Sequence, residues 1–171
     1  MECDIEVAKD YPIRTYPDPV LRKETSEITD FNEELESFVS EMQRIMFEND
    51  GVGLAGPQIG FSLKIAIVYY EERLYTLINP VIIESSGEEY GEEGCLSFPG
   101  IYGRVKRPEK IRIKAQDING SESIFDAEGF LARAFCHETD HLNGVLLIDH
   151  FSPMKKNMVK RKMLKKNRET Q

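Results

Sequence analysis

Leu35, Phe38, Val39, Met42, Ile45 and Met46 recur at spacings of three and four, which places all six on one face of a helix. Asp30 and Glu33 stand at capping-box spacing ahead of that run, and Asp50-Gly51 ends it. Pro12, Pro17 and Pro19 make residues 11–21 an extended, turning lead-in. Beyond the helix the pattern changes. Residues 63–70, 74–83, 111–115 and 123–126 are rich in Ile, Val and Tyr and are separated by turn residues, so they read as strands. The spacing predicts a second helix over 130–142, stopped near Asn143-Gly144. Ser152-Pro153 opens a last helix, with Ser as cap and Pro at the first helical position.

No helices separate the middle strands, so the order implies an α+β fold with mainly antiparallel β-sheets, an N-terminal helix and a C-terminal helix. The chain has 171 residues, no internal repeat and no linker rich in Gly, Pro or Ser, which suits a single domain over residues 1–171. Residues 1–11 look like an N-terminal extension. Hydrophobic residues make up 40% and charged ones 30%, an ordinary soluble composition, and no apolar run has the length of a membrane span. The start, Met-Glu-Cys-Asp-Ile-Glu, has neither the apolar segment of a secretory signal nor the Arg of a transit peptide. A cytoplasmic location is therefore expected. The net charge of −8 is uneven. Residues 153–171 hold eight Lys or Arg and one acid, which leaves 14 basic and 29 acidic residues elsewhere. A basic tail on an acidic body points to an acidic partner for the tail.

Candidate chemistry concentrates in His137-Glu138-Thr139-Asp140-His141. Two His four residues apart lie on one helical face and can grip one cation, with Glu138 beside them to reach water at the ion. That makes the second helix a buried metal-binding helix. Catalytic sites of this kind have three protein ligands. Downstream, His150 is the only His, and Asp149 and Glu169 the only acids. Upstream lies Glu93-Gly94-Cys95-Leu96-Ser97. A lone Cys reads as a small buried hydrophobe, but beside an incomplete two-His site Cys95 reads as the third ligand. Phe130, Arg133 and Ala134 share the helical stripe of the two His, so they stand either in the core or along a substrate pocket beside the metal, with Val52 opposite. Glu93 is equally placed to orient a ligand or to sit in water with its acidic neighbours.

Three motifs occur in order: Gly51-Val52-Gly53-Leu54-Ala55-Gly56-Pro57-Gln58, Glu93-Gly94-Cys95-Leu96-Ser97 and His137-Glu138-Thr139-Asp140-His141. With Tyr16-Pro17-Asp18-Pro19-Val20-Leu21-Arg22 at the start, the sequence resembles peptide deformylases over roughly residues 12–165. It departs at Gly56, where the family has Ala, and at Cys136, where it has Gln; Cys136 is expected to pack in the core. The resemblance implies hydrolysis of the N-formyl group from the N-terminal methionine of newly made proteins. It implies Cys95, His137 and His141 as metal ligands and Glu138 as the group that moves the proton. It implies Gln58 and the Leu96 N–H as donors to the oxyanion. The implied metal is ferrous iron, with zinc, nickel or cobalt able to substitute. Val52, Gly53, Phe130 and Arg133 are expected to contact an N-formylmethionyl nascent peptide, with the peptide backbone added as a strand along residues 51–54. The basic C-terminal helix, 153–168, is expected to touch the ribosome through the side chains left to solvent, while Met154, Met158, Leu164 and Val159 face the body. Neither membrane nor DNA is expected as a partner. Two rival readings stand beside this one: a zinc endopeptidase with the same helix motif, and a non-catalytic, ribosome-associated metal-binding module.

Overall fold

The computed structural model describes residues 11–170. The extension expected over residues 1–11 therefore falls, except for Tyr11, outside the described residues. Helix α1 runs Glu33–Glu48 and buries all six residues of its apolar stripe. Its cap is Asn32, whose side chain accepts from the Leu35 N–H at 3.0 Å. The Asp30–Glu33 capping box does not form: the helix begins at Glu33, so Asp30 lies outside the first turn, and Asn32 caps equally well.

Seven strands follow: β1 (Gly53–Ala55), β2 (Ile65–Tyr70), β3 (Arg73–Ser86), β4 (Glu89–Cys95), β5 (Phe98–Arg107), β6 (Lys110–Gln116) and β7 (Glu122–Glu128). Five make an antiparallel sheet in the order β1-β2-β3-β6-β7; β4 and β5 form a separate antiparallel hairpin. Helix α2 spans Gly129–Leu142 and α3 spans Pro153–Glu169. The α+β expectation is met. The hairpin was not anticipated, and its composition explains why. Strand β4 reads Glu-Tyr-Gly-Glu-Glu-Gly-Cys and carries no apolar alternation. Its inward residue is Glu93, an acid.

Strand β2 is buried on both faces, and its alternation sorts the core. Ile65 and Ile67 join Phe38, Met42 and Met46 of α1. Ala66 and Val68 join Ala132, Phe135 and Cys136 of α2. Small residues at Ala55 and Ala66 suit close approach of α2 to the sheet. A third cluster joins Phe98, Ile101 and Val105 of β5 to Val159 and Met163 of α3.

Helix α3 starts at Pro153 with Ser152 as cap, as the sequence implies. Its orientation differs from expectation. Met154, Met158 and Leu164 are 83%, 51% and 46% exposed, while Val159 and Met163 are buried. Lys155 and Lys166 lie toward the body, donating to the carbonyls of Tyr102 at 2.9 Å and Pro99 at 3.1 Å. Lysine stems cover apolar surface while their ammonium groups stay wet. A count of apolar positions alone therefore placed Val159 correctly and Met154, Met158 and Leu164 on the wrong side. No helix among the described residues is long and apolar enough to cross a membrane.

Candidate metal centre

One turn of α2 separates His137 from His141, and their rings lie 5.1 Å apart. Facing them is Cys95, the last residue of β4, with Leu96-Ser97 as the turn into β5. The ladder shifts register between Gly94 and Cys95, an irregularity that re-aims a side chain. The Cys95 sulfur lies 3.3 Å from His141 Nε2. One donor atom from each of the three residues falls within 4.8 Å of the others. Ligand bonds to zinc are about 2.0–2.3 Å, so one ion fits among these atoms, and a thiolate with two imidazoles is a donor set for zinc or divalent iron.

The surroundings fix these side chains. Glu93 Oε1 sits 2.9 Å from His137 Nδ1, which leaves Nε2 for the site. Glu93 is buried. It accepts two hydrogen bonds from Arg107, both 2.9 Å, and one from Arg133 at 2.7 Å. Burial would raise its pKa, but the bonds from Arg107 and His137 hold it well below the usual carboxylate range. Arg107 also donates to Asp140 at 2.6 Å, and His150 pairs with the same oxygen at 2.8 Å. Of the two settings open to Glu93, the buried one orienting His137 is the one found. Burial lowers the pKa of His141, helped by the charges of His137 and Arg107; burial would lower that of His137 too, but hydrogen bonds to Cys95 and Glu93 raise it.

Glu138 is buried beside Gly53. A Cβ at Gly53 would lie 2.5 Å from Glu138 Oε1, so only glycine allows this approach. The other oxygen, Oε2, has no hydrogen-bond partner among the described residues. Burial pushes the carboxyl up to about 7, against the opposing charge of His137. An acid poised near neutrality can both take and give a proton. Gln58, on a 3-10 turn over Gly56–Ile59, is buried too. Its Oε1 accepts from the Ala55 N–H at 3.0 Å, and its Nε2 faces Ser97 Oγ at 3.2 Å and Cys95 Sγ at 3.5 Å.

A cavity of about 580 Å³ opens onto these groups. Cys95, Leu96, His137, Glu138 and Gln58 line it; so do Val52, Gly53, Phe130 and Arg133. His141 lies behind them, almost wholly buried. Phe130 stacks on Tyr70 with ring centroids 5.3 Å apart. Arg133 adds its stem but not a free charge: besides Glu93, its guanidinium binds the carbonyls of Val105 at 2.8 Å and Glu89 at 2.9 Å. Cys136 packs in the α2 core, where burial pushes its thiol up to about 11. Sequence reading missed Arg107, Ser97 and Tyr70. Arg107 carries no local signal, since its partners lie 14 and 33 residues away. Ser97 stood in a quoted motif, but no spacing rule links it to Gln58.

The family model for polypeptide deformylase matches residues 10–157. Peptide deformylase 1 of Clostridium perfringens is 50% identical over 140 residues, which is 81% of this chain and 95% of that protein. Peptide deformylase of Acidobacterium capsulatum is 44% identical over 162 residues, 92% of this chain and 95% of the other. A peptide deformylase crystal structure from Legionella pneumophila superposes with a TM-score of 0.88 at 40% identity, covering 96% of this chain and 97% of that one. One from Ehrlichia chaffeensis, in complex with actinonin, gives 0.90 at 34% identity, covering 94% and 99%.

Proposed function

The chain belongs to the polypeptide deformylase family, and we infer that the centre formed by α2 and the β4–β5 hairpin carries out that family's reaction. The protein is a hydrolase that removes the N-formyl group from nascent formylmethionyl peptides. Water and the formamide become formate and a free amine. The observation that supports the site assignment most strongly is that Cys95, His137 and His141 converge beside a buried carboxyl with an oxygen unpartnered among the described residues.

Cys95, His137 and His141 would hold a divalent ion, which would supply Lewis acidity and acidify water. Glu138 takes the proton from the attacking water and passes it to the departing amine nitrogen. Gln58 Nε2 and the Leu96 N–H donate to the oxyanion of the tetrahedral carbon. Removing one such donor costs about 10²–10³ in turnover in other hydrolases. The methionine side chain lies against Phe130, Val52 and the stem of Arg133. The peptide backbone pairs along β1, which stands at the edge of the sheet and contains Gly53.

Iron in the ferrous state is the native ion, and zinc, nickel or cobalt occupies the same ligands. The protein works in the cytoplasm as a single domain, and the outward basic residues of α3 meet ribosomal phosphate. Such contacts weaken steeply with salt, which cosedimentation with ribosomes at two salt concentrations measures. The endopeptidase alternative needs a third His or Glu downstream, and His150, the only downstream His, pairs with Asp140 at 2.8 Å and stands outside the three-residue cluster. Release of formate from a formylmethionyl tripeptide, with no cleavage of an unformylated protein, is the expected result. Cleavage of internal peptide bonds would overturn this reading.

A further inference from the structure

A primary amide offers one acceptor oxygen and two N–H donors. In Gln58 the oxygen is taken by the Ala55 N–H at 3.0 Å, a group that can only donate. That contact settles which end of the amide is oxygen. It does not settle the rotation of the amide plane, because a single contact leaves the group free to swing about it. Ser97 supplies the second point. Its hydroxyl accepts from Gln58 Nε2 at 3.2 Å, and the residue is 0% exposed. Ser97 is itself held, since its carbonyl accepts from the Tyr16 N–H at 3.0 Å and it forms the turn between β4 and β5. With one N–H committed to Ser97, the other points toward Cys95 Sγ at 3.5 Å. That distance is ordinary for an N–H···S contact, and it sets the donor beside Cys95, where a reacting oxygen would lie.

The geometry points to Ser97 as a positioning residue for the deformylation reaction: it locks the plane of the Gln58 amide so that one N–H always faces the oxyanion. The inference rests on the oxyanion role given to Gln58 above. Ser97 touches neither substrate nor reacting atoms in this role; it acts only through Gln58. Removing its hydroxyl leaves the amide held at one point, so Gln58 has to be ordered anew in each transition state. The loss appears in kcat and not in KM, because the oxyanion exists only in the transition state.

Four cobalt-loaded proteins test this: wild type, Ser97→Ala, Gln58→Ala and the double variant. For each, kcat and KM are measured separately on a formylmethionyl tripeptide, and the visible spectrum of the cobalt form is recorded. Ser97→Ala is expected to lower kcat about tenfold, the scale of one lost hydrogen bond, with KM and the cobalt spectrum unchanged. In the Gln58→Ala background the same change is expected to cost less than about twofold, since residues that act as a unit are not additive. Equal losses in both backgrounds, a shifted cobalt spectrum, or an unchanged kcat in Ser97→Ala would each overturn the inference. A wild-type kcat in Gln58→Ala would instead remove the oxyanion role of Gln58 itself, a failure distinguishable from that of Ser97 alone.

Discussion

Between α1 and the sheet, Phe38, Met42 and Met46 meet Leu54, Ile65, Ile67 and Ile78, all of them apolar and buried. Between α2 and the β4–β5 hairpin, the buried groups include Glu93, Arg107 and Arg133, with the partly buried His137 beside them. The first contact stabilises by removing apolar area from water, about 25 cal/mol per Å², and many apolar side chains of similar volume would serve there. The second gains little net stability, because stripping water from charges offsets most of their attraction. It fixes directions instead. Glu93 orients His137 while Arg107 and Arg133 bind its carboxylate, and the same network ties the strand carrying Cys95 to the helix carrying the two His. One interface holds the fold, and the other holds the candidate ligands in register.

Breaking the ionic interface at its centre is expected to have the largest effect. Arg107→Met leaves Glu93 and Asp140 without their shared partner, at about 3–5 kcal/mol, as for removal of one member of a buried pair. Metal affinity should fall by about 10–100-fold with it, since His137 loses its oriented partner. Chemical denaturation and competition with a chelator measure the two. Met42→Ala, in the fully buried apolar interface, should cost about 2–5 kcal/mol and leave the metal affinity of the folded protein unchanged. A large fall in metal affinity in this second variant would erase the distinction between the interfaces.

A surface pair gives the smallest effect. Partial burial would raise the pKa of Asp149, but hydrogen bonds from Arg22 and the Leu146 N–H bring the carboxyl down to about 2. A lowered folded pKa adds stability above the unfolded value, about 3.9, that is lost as pH falls toward 2. Solvent screening discounts the contribution, so Asp149→Asn should cost about 1 kcal/mol at pH 7. The difference from wild type should shrink between about pH 4 and pH 2 in urea melts. A difference that grows on acidification would reverse the sign of the linkage.

The same contrast governs what can be read from the chain. The α1 face was legible because apolar packing imposes a period on the sequence, and all six expected residues are buried. The convergence of Cys95 with His137 and His141 was legible because ligands must share a helical face and a third donor must come from somewhere. Strand β4 was not legible, because its buried residue is an acid paired across space with Arg107 and Arg133. Charged partners leave no period. Helix α3 was misread in part for a related reason: the stems of Lys155 and Lys166 lie toward the body, while Met154, Met158 and Leu164 face out.

The most direct test of the centre is to measure metal content and formate release on the same anaerobic preparation, for wild type beside Glu138→Ala. Both proteins are expected to bind one ion at Cys95, His137 and His141, because Glu138 lies outside that cluster. Wild type should release formate from a formylmethionyl tripeptide, and the variant should be slower by at least about 10²–10⁴-fold, the range for loss of a general acid–base. A metal-loaded Glu138→Ala that turns over at the wild-type rate would contradict the proton-transfer role. A wild type that carries the ion but releases no formate would contradict the site as a whole.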